Sequence, residues 1–166
     1  MRQGRPVPLA LIERDQMHQL TTAPTANRTA AALTMKSAKA FQQSAERDRT
    51  DGLALPAASS FHEAARLAIT AIATANGRRF SNAAGAHEAV VDYALGIGLA
   101  DAGAHARLDT LRELRHNVNY PADLVEPSAP LLEQIAALVN DVITAASARL
   151  APPPTRRPPP PPRPSR

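Results

Sequence analysis

The chain has 166 residues, which is enough for one domain with a real core plus terminal tails. It contains no cysteine, which excludes disulfides, cysteine-ligated zinc and thiol chemistry. Aromatic residues make up only 3% and tryptophan is absent, so an aromatic platform that stacks nucleic-acid bases is not expected. Alanine dominates, with Leu, Ile and Val at helical spacing, which favours an all-α fold whose helices pack closely through small side chains.

The net charge of +4 is concentrated at one end of the chain. The segment 151–166 holds Arg156, Arg157, Arg163 and Arg166 and no acid, and the other 15 basic residues equal the 15 acids of the rest. Because the body is neutral overall, the net charge is poor evidence that it carries a broad basic face for nucleic acid.

The sequence gives no sign of membrane insertion or secretion. No stretch approaches the roughly 18 consecutive apolar residues of a membrane-spanning helix. The apolar run from Val7 to Ile12 is interrupted by Pro8 and followed by charged residues, so it is too short for a secretory signal. We therefore expect a cytoplasmic protein without membrane association.

Three regions are expected along the chain. Residues 1–25 form an N-terminal arm, in which Leu9 to Leu20 has the spacing of a short helix but a loosely attached segment is favoured. Residues 26–150 form the helical body. Residues 151–166 form a disordered proline-rich tail, in which Pro158 to Pro162 favours polyproline II. The tail arginines add a nonspecific, salt-sensitive attraction to RNA or DNA.

Apolar residues recur at three- and four-residue spacing in five segments of the body. They predict helices over 27–47, 60–76 and 82–99, from near Asp101 to the residues before Pro121, and over 128–148. In the first helix, Phe41 belongs to a narrow apolar seam with Ala31, Met35, Ala38 and Ala45.

Local signals mark the ends of the second predicted helix. Ser60 and Glu63 match a capping box, in which the two residues satisfy each other's free backbone N–H groups. Gly77 is expected to supply the left-handed residue after the last turn, and Arg78 and Arg79 place cations where a helix C-terminus favours them.

The segment from Leu108 to Pro121 contains a chemical anomaly. Leu108, Leu111, Leu114 and Val118 make one apolar stripe, and Arg115 falls inside it at about 100° per residue. Desolvating an unpaired guanidinium costs several kcal/mol. Two interpretations stay open, a snorkelling arginine at the stripe edge and a functional residue at a cleft.

Neither a metal ion nor a cofactor is expected. His87 and Glu88 lack the later histidine of the zinc-protease helix motif, and no second ligand stands at metal spacing. Gly96 and Gly98 lack the preceding strand that a dinucleotide-binding loop requires.

Four features in order resemble the HEPN superfamily, especially its small stand-alone bacterial members. They are a helix beginning Phe61-His62-Glu63-Ala64-Ala65-Arg66, the Gly85-Ala86-His87 start of the next, the segment Arg115-His116-Asn117-Val118-Asn119-Tyr120-Pro121, and a closing amphipathic helix. The resemblance covers roughly residues 27–149. It implies an up-and-down bundle of four to five helices that commonly forms a homodimer.

The resemblance also implies a function. In the ribonuclease members an arginine, the polar residue after it and a histidine a few positions later meet at the dimer cleft and cleave RNA without a metal. Arg115 matches that arginine and His116 the polar position, while Tyr120 stands at the position of the expected histidine. Arg112 and Asn119 are candidate binding residues beside them. Such proteins serve in toxin–antitoxin pairs, with a nucleotidyltransferase as protein partner, or in defence.

Three functions therefore stay open from the sequence. The first is an RNA-binding or RNA-processing protein, with catalysis by Arg115, His116 and Tyr120. The second is a non-catalytic interaction module that binds a protein partner, since tyrosine, whose ordinary pKa is about 10, is a poor general base near neutral pH. A helix-turn-helix DNA regulator is the least supported, because no short glycine turn joins a helix pair with a basic recognition face.

Overall fold

The computed structural model describes residues 20–22, 26–80, 86–119 and 126–152, and of residues 20–22, 86–87 and 116–119 the backbone alone. The described residues form five helices and two short strands. They are β1 (Leu20–Thr22), α1 (Arg28–Thr50), α2 (Ala54–Ala75), β2 (Arg78–Phe80), α3 (Ala86–Gly96), α4 (Ala102–Asn119) and α5 (Ala129–Leu150). The prediction of an all-α helical bundle is confirmed.

Helices α1 and α2 form a hairpin that is packed through alanine. A turn of three residues joins them, and Gly52 in this turn has a φ of +76°, which favours glycine. Alanine recurs at every seventh position of both helices, so that it returns to the same side every two turns. These fully buried alanines are Ala31, Ala38 and Ala45 in α1 and Ala57, Ala64 and Ala71 in α2. Small side chains let the two backbones approach closely.

Helix α2 is the centre of the bundle and contacts the other four helices. Its predicted apolar face is confirmed, since Phe61, Ala64, Ala65, Ala68, Ile69 and Ile72 are all buried. The helix begins at Ala54, six residues before the predicted start. The predicted capping box is wrong, because Ser60 lies within the helix and the Glu63 carboxylate accepts hydrogen bonds from Arg66 instead.

The predicted place of Phe41 in the seam of α1 is also wrong. Its side chain is 41% exposed, whereas Ala38 and Ala45 on either side of it are fully buried. The close approach of α1 to α2 leaves room for alanine but not for a phenyl ring. Gln42 instead faces α5, where its Nε2 donates to Oδ1 of Asn140 at 3.3 Å.

A two-stranded antiparallel ribbon, absent from the sequence prediction, follows α2. In it Leu20 pairs with Phe80 and Thr22 with Arg78. Leu20 therefore lies in a strand and not in a helix, while residues 1–19 of the predicted arm lie outside the described residues. Gly77 has a φ of +66°, which confirms its predicted left-handed conformation.

The ribbon changes the surroundings of two arginines and one tyrosine. Arg78 and Arg79 lie just beyond the end of α2, as predicted, and there they belong to strand β2. The ring of Phe80 packs edge-on against Tyr93 of α3, with centroids 5.6 Å apart. Asn76, at the end of α2, donates its Nδ2 hydrogen to the Tyr93 hydroxyl at 3.1 Å.

Three polar caps position α3, α4 and α5. Asp101 Oδ1 accepts from Ala104 N at 2.7 Å at the start of α4, and Ser128 caps α5 where the sequence predicts its start. Helix α3 ends at Gly96, three residues before the predicted end. Beyond it, Arg149 of α5 donates to the carbonyl oxygens of Ile97 and Gly98 at 3.0 and 2.7 Å.

Helix α5 closes the core with the broad apolar face that its sequence predicts. Its buried residues are Leu132, Ile135, Ala136, Leu138, Val139, Val142, Ile143 and Ala146. By length and composition it is also long and apolar enough to cross a membrane, a property that core helices of soluble proteins share. The predicted tail, apart from Ala151 and Pro152, lies outside the described residues.

Candidate functional site around Arg115

Arg115 lies near the C-terminal end of α4, on the side that faces the bundle. Leu108 and Leu111 of the predicted stripe are buried, and Leu114 is half-buried against the core. Arg115 itself is half-buried, beside this apolar stripe. The position is the one that the periodicity of the sequence indicates.

Helix α2 packs against α4 and brings a carboxylate, Glu63, into the field of Arg115. Arg66, one turn further along α2, binds both oxygens of this carboxylate: its Nε donates to Oε2 at 2.9 Å, and its Nη2 donates to Oε1. Such a bidentate pair fixes the geometry of both side chains. Arg115 and Glu63 therefore lie on different helices but in one electrostatic group.

The pKa of Glu63 is lowered from its ordinary value. The hydrogen bond from Arg66 is the largest cause, and partial burial opposes it. The positive charge of Arg66 and then the fields of His62 and Arg115 lower the pKa of Glu63 further. Glu63 is therefore ionised at neutral pH and is a weak proton acceptor, so it suits orientation and charge balance better than general-base catalysis.

His62, next to Glu63, is the one polar residue among the described residues whose side chain is buried, at 6% exposure. Its imidazole lines a small cavity of about 10 Å³ between α2, α3 and α4, together with Ile69, Val91 and Leu111 among others. This space is no larger than about one water molecule. His62 therefore lies in the interior between these three helices.

Arg112, one turn before Arg115, has acidic surroundings. Its Nε donates to Oδ1 of Asp109 at 2.7 Å, and its Nη2 lies 4.0 Å from Oε1 of Glu113. The hydrogen bond that Arg112 donates to Asp109 raises the pKa of Arg112 most. Desolvation opposes this rise, and the charges of Asp109, Glu88 and Glu113 raise the pKa further. A phosphate at Arg112 would meet three carboxylates, which makes this residue a poorer anion contact than Arg115.

The structure thus places two of the five predicted site residues and leaves three undetermined. Arg112 and Arg115 lie one turn apart on α4. The side chains of His116 and Asn119 and the whole of Tyr120 lie outside the described residues.

Sequence reasoning missed both the ion pair of Glu63 with Arg66 and the electrostatic effect of Arg115 on Glu63. An available signal was the three-residue spacing of Glu63 and Arg66, which suits an ion pair on one helix. The contact between α2 and α4 has no local signal in the sequence.

A second polar pair joins α3 and α4 away from Arg115. Nε2 of His105 lies 2.8 Å from Oδ1 of Asp92, and both side chains are partly buried. Within the described ranges, no group of three or more His, Asp or Glu side chains is arranged to hold a metal ion.

Comparisons with known proteins add no identification. No protein-family profile matches this sequence, and none of the curated proteins matches it.

Proposed function

We propose that this chain is a HEPN-like RNA-binding or RNA-processing protein of the cytoplasm, an up-and-down helical bundle with Arg115 at the cleft of a homodimer. The observation that carries the proposal is the position of Arg115, half-buried in the apolar stripe of α4 and electrostatically coupled to Glu63. A guanidinium at the edge of an apolar surface is well suited to bind a phosphate with two parallel hydrogen bonds. The order of the sequence motifs around it supports the same function.

The proposed chemistry divides three roles among residues near the end of α4. Arg115 binds the phosphate and neutralises its developing charge. His116, whose ordinary pKa of about 6.5 suits proton transfer, accepts the proton of the ribose 2′-hydroxyl as that oxygen attacks the phosphate. The bond from phosphorus to the 5′-oxygen breaks, which leaves a 2′,3′-cyclic phosphate on one product, and the departing 5′-oxygen takes a proton from water. Tyr120 donates a hydrogen bond, and Asn119 with Arg112 contacts the RNA backbone. The Glu63–Arg66 pair holds the neighbouring surface of α2 in place.

RNA cleavage and RNA binding are tested separately. Purified protein is incubated with single-stranded RNA in the presence of a metal chelator, and the wild type is compared with Arg115→Ala and His116→Ala. Arg107→Ala is the matched control, because Arg107 is an exposed arginine on the same helix. The proposal expects the two site variants to lose cleavage and the control to keep it. Equal cleavage by all four proteins, or by none, would remove the nuclease role.

RNA binding is measured with the same variants by fluorescence anisotropy at two salt concentrations. A variant that ends at Pro152 removes the tail arginines, which add nonspecific attraction. In this shortened background Arg115→Ala should weaken binding roughly tenfold, as expected for a charged hydrogen-bonding contact. Equal affinity of Arg115→Ala and Arg107→Ala would contradict a phosphate site at Arg115.

A non-catalytic module that binds a protein partner is the second candidate function. Two observations favour it: Tyr120 stands at the position of the motif histidine, and Arg112 is surrounded by Asp109, Glu113 and Glu88. A nucleotidyltransferase-type partner, as in a toxin–antitoxin pair, would then co-purify with this chain in a fixed ratio. Growth arrest on expression, relieved by that partner, would support a toxin or defence role; recovery of RNA alone would count against the module.

The homodimer is tested by light scattering of the purified protein. A mass of two chains that falls to one in Arg115→Glu would support a dimer through α4, since the substitution places like charges beside Glu63 on that surface. A mass of one chain for the wild type at micromolar concentration would refute it.

A further inference from the structure

A groove runs between α1 and the C-terminal end of α5, away from α4 and Arg115. Its volume is about 520 Å³, and α1 and α5 both line it. On α1 the lining residues extend from Ala32 to Gln43, about three helical turns. Three turns of α1 is a length along which a second helix could pack.

The floor of the groove is apolar. Ala32, Met35 and Ala40 of α1 face Leu150 of α5 across it. Ala32 and Ala40 are small apolar residues whose side chains are exposed on α1. Methionine adapts its shape to different partners, and small residues allow a second backbone to approach closely.

The charged side chains that line the groove are all basic. Lys36 and Lys39 lie at its rim, both exposed, and none of its lining residues is acidic. They are also the only two lysines in the whole chain, whose other 17 cations are arginines. The basic character of this surface is therefore local, although the body of the protein is neutral overall.

We propose that this groove binds an acidic amphipathic helix of a partner protein. Leucine or similar side chains of that helix, at three- and four-residue spacing, would fill the apolar floor, and its Glu or Asp residues would flank Lys36 and Lys39. The complementary charges orient the helix and raise its rate of association. The proposal does not depend on the function assigned to Arg115, which lies on another helix.

Nucleic acid fits the same groove less well. No aromatic side chain lines it, so bases have nothing on which to stack. Its cations are lysines, which act as point charges, whereas arginine provides the planar fork that binds phosphate with two hydrogen bonds. An apolar floor is an advantage only for a ligand with an apolar face.

Binding is measured on the full chain with a fluorescent peptide of about 18 residues, a length of about 27 Å as a helix. The peptide carries leucine on one face and glutamate on the other. One comparison peptide has lysine in place of glutamate, and another has the same composition in scrambled order. The proposal expects saturable binding of the amphipathic acidic peptide, and at least tenfold weaker binding of both others.

Two double variants locate the binding. Lys36→Gln/Lys39→Gln removes the rim charges, and we expect it to weaken binding roughly fivefold, as two exposed ion pairs would. Arg28→Gln/Arg107→Gln removes the same charge from exposed positions outside the groove and should bind like the wild type. All substituted side chains are exposed, so circular dichroism should show an unchanged fold.

A covalent readout identifies the contact directly. A carbodiimide couples carboxylates to amines, and Lys36 and Lys39 carry the only ε-amines in the chain. Mass spectrometry should find the peptide joined to these two lysines, and joining should fail with the scrambled peptide.

Three outcomes would overturn the proposal. One is equal binding by the two double variants, and another is peptide coupled to the N-terminal amine instead of the lysines. The third is a preference for another ligand. If an 18-nucleotide RNA or anionic lipid vesicles bind more tightly than the peptide, and Lys36→Gln/Lys39→Gln loses that binding, the groove is a site for that ligand.

Discussion

Nε2 of His105 lies 2.8 Å from Oδ1 of Asp92, and this hydrogen bond joins α4 to α3. The other carboxylate oxygen of Asp92, Oδ2, is buried and has no hydrogen-bond partner among the described residues. Asp92 therefore depends on His105 for the one side-chain contact that compensates its burial. A buried polar group that loses its partner retains the full desolvation penalty.

Removal of the His105 side chain should therefore destabilise the protein more than is usual for a partly exposed residue. We expect His105→Ala to lower the free energy of unfolding by about 2 kcal/mol, measured by chemical denaturation. Asp92→Ala/His105→Ala should cost less than the sum of the two single variants, because neither partner is then left alone. Thr110→Ala, an exposed position on the same helix, is the control; additive single costs would show that the pair is not coupled.

Glu63→Gln should reveal a pH-dependent contribution to stability. In the fold, the Arg66 hydrogen bond holds the pKa of Glu63 below the ordinary value of 4.5, which the unfolded chain retains. The unfolded state therefore takes up the proton first as the pH falls. The stabilisation by ionised Glu63 is complete above that ordinary value and is lost as the pH falls through the lowered pKa.

The measurement compares wild type and Glu63→Gln by denaturation across this pH range. We expect the variant to be less stable by about 1 kcal/mol at neutral pH, a value that allows for partial exposure of the pair, and the gap to close in acid. Glu46→Gln breaks the more exposed pair with Arg49 and should show a smaller gap at neutral pH. A gap for Glu63→Gln that stays constant with pH would exclude the assigned cause.

The alanine contact between α1 and α2 should not tolerate a larger side chain. Ala38 is fully buried, whereas Ala40 on the same helix is exposed. Ala38→Leu should lower the unfolding free energy by about 1–3 kcal/mol because the helices must separate to accept it. Ala40→Leu adds the same atoms at an exposed position and should leave stability nearly unchanged; similar melting temperatures for the two variants would refute close packing at Ala38.

Arg149 should stabilise the connection between α3 and α4 more through the two hydrogen bonds of its planar guanidinium than through its charge. Its two Nη atoms bind the carbonyl oxygens of Ile97 and Gly98, at a turn where Gly98 has a φ of +65°. Arg149→Ala should cost about 1 kcal/mol in unfolding free energy. Lysine keeps the charge but lacks the planar fork, so Arg149→Lys should recover only part of this. Full recovery by lysine would show that the charge near the helix end is sufficient.

The helices were predictable from the sequence because each one buries a continuous face. The buried faces of α2 and α5 were predicted from apolar residues that recur at helical spacing within each helix, such as those around Ile69 and Ile135. Their ends were less predictable, since Ser60 and Glu63 fit a capping box as well as an interior turn. The local sequence pattern does not distinguish a helix start from a helix interior at Ser60. Helix α2 continues back to Ala54, and the residues Ala57 and Ala58 of this extension are buried in the core.

The site was predictable only in part, for the same reason. Arg115 was found from its place in an apolar stripe on its own helix. Glu63, whose pKa the charge of Arg115 helps to lower, belongs to a helix some 50 residues earlier in the chain, so only the packing of α2 against α4 reveals this relationship. The strands β1 and β2, three residues each, are too short to show the alternation that marks a strand.

The ribbon between β1 and β2 has a consequence for the order of folding. The register of Leu20 with Phe80 closes a loop that contains the whole α1–α2 hairpin, and closing a long loop is entropically costly. The hairpin itself needs only contacts between neighbours in the chain, which form quickly. We therefore expect the hairpin to assemble first and to bring the two strands together, and amide hydrogens of the ribbon to exchange before those of α2.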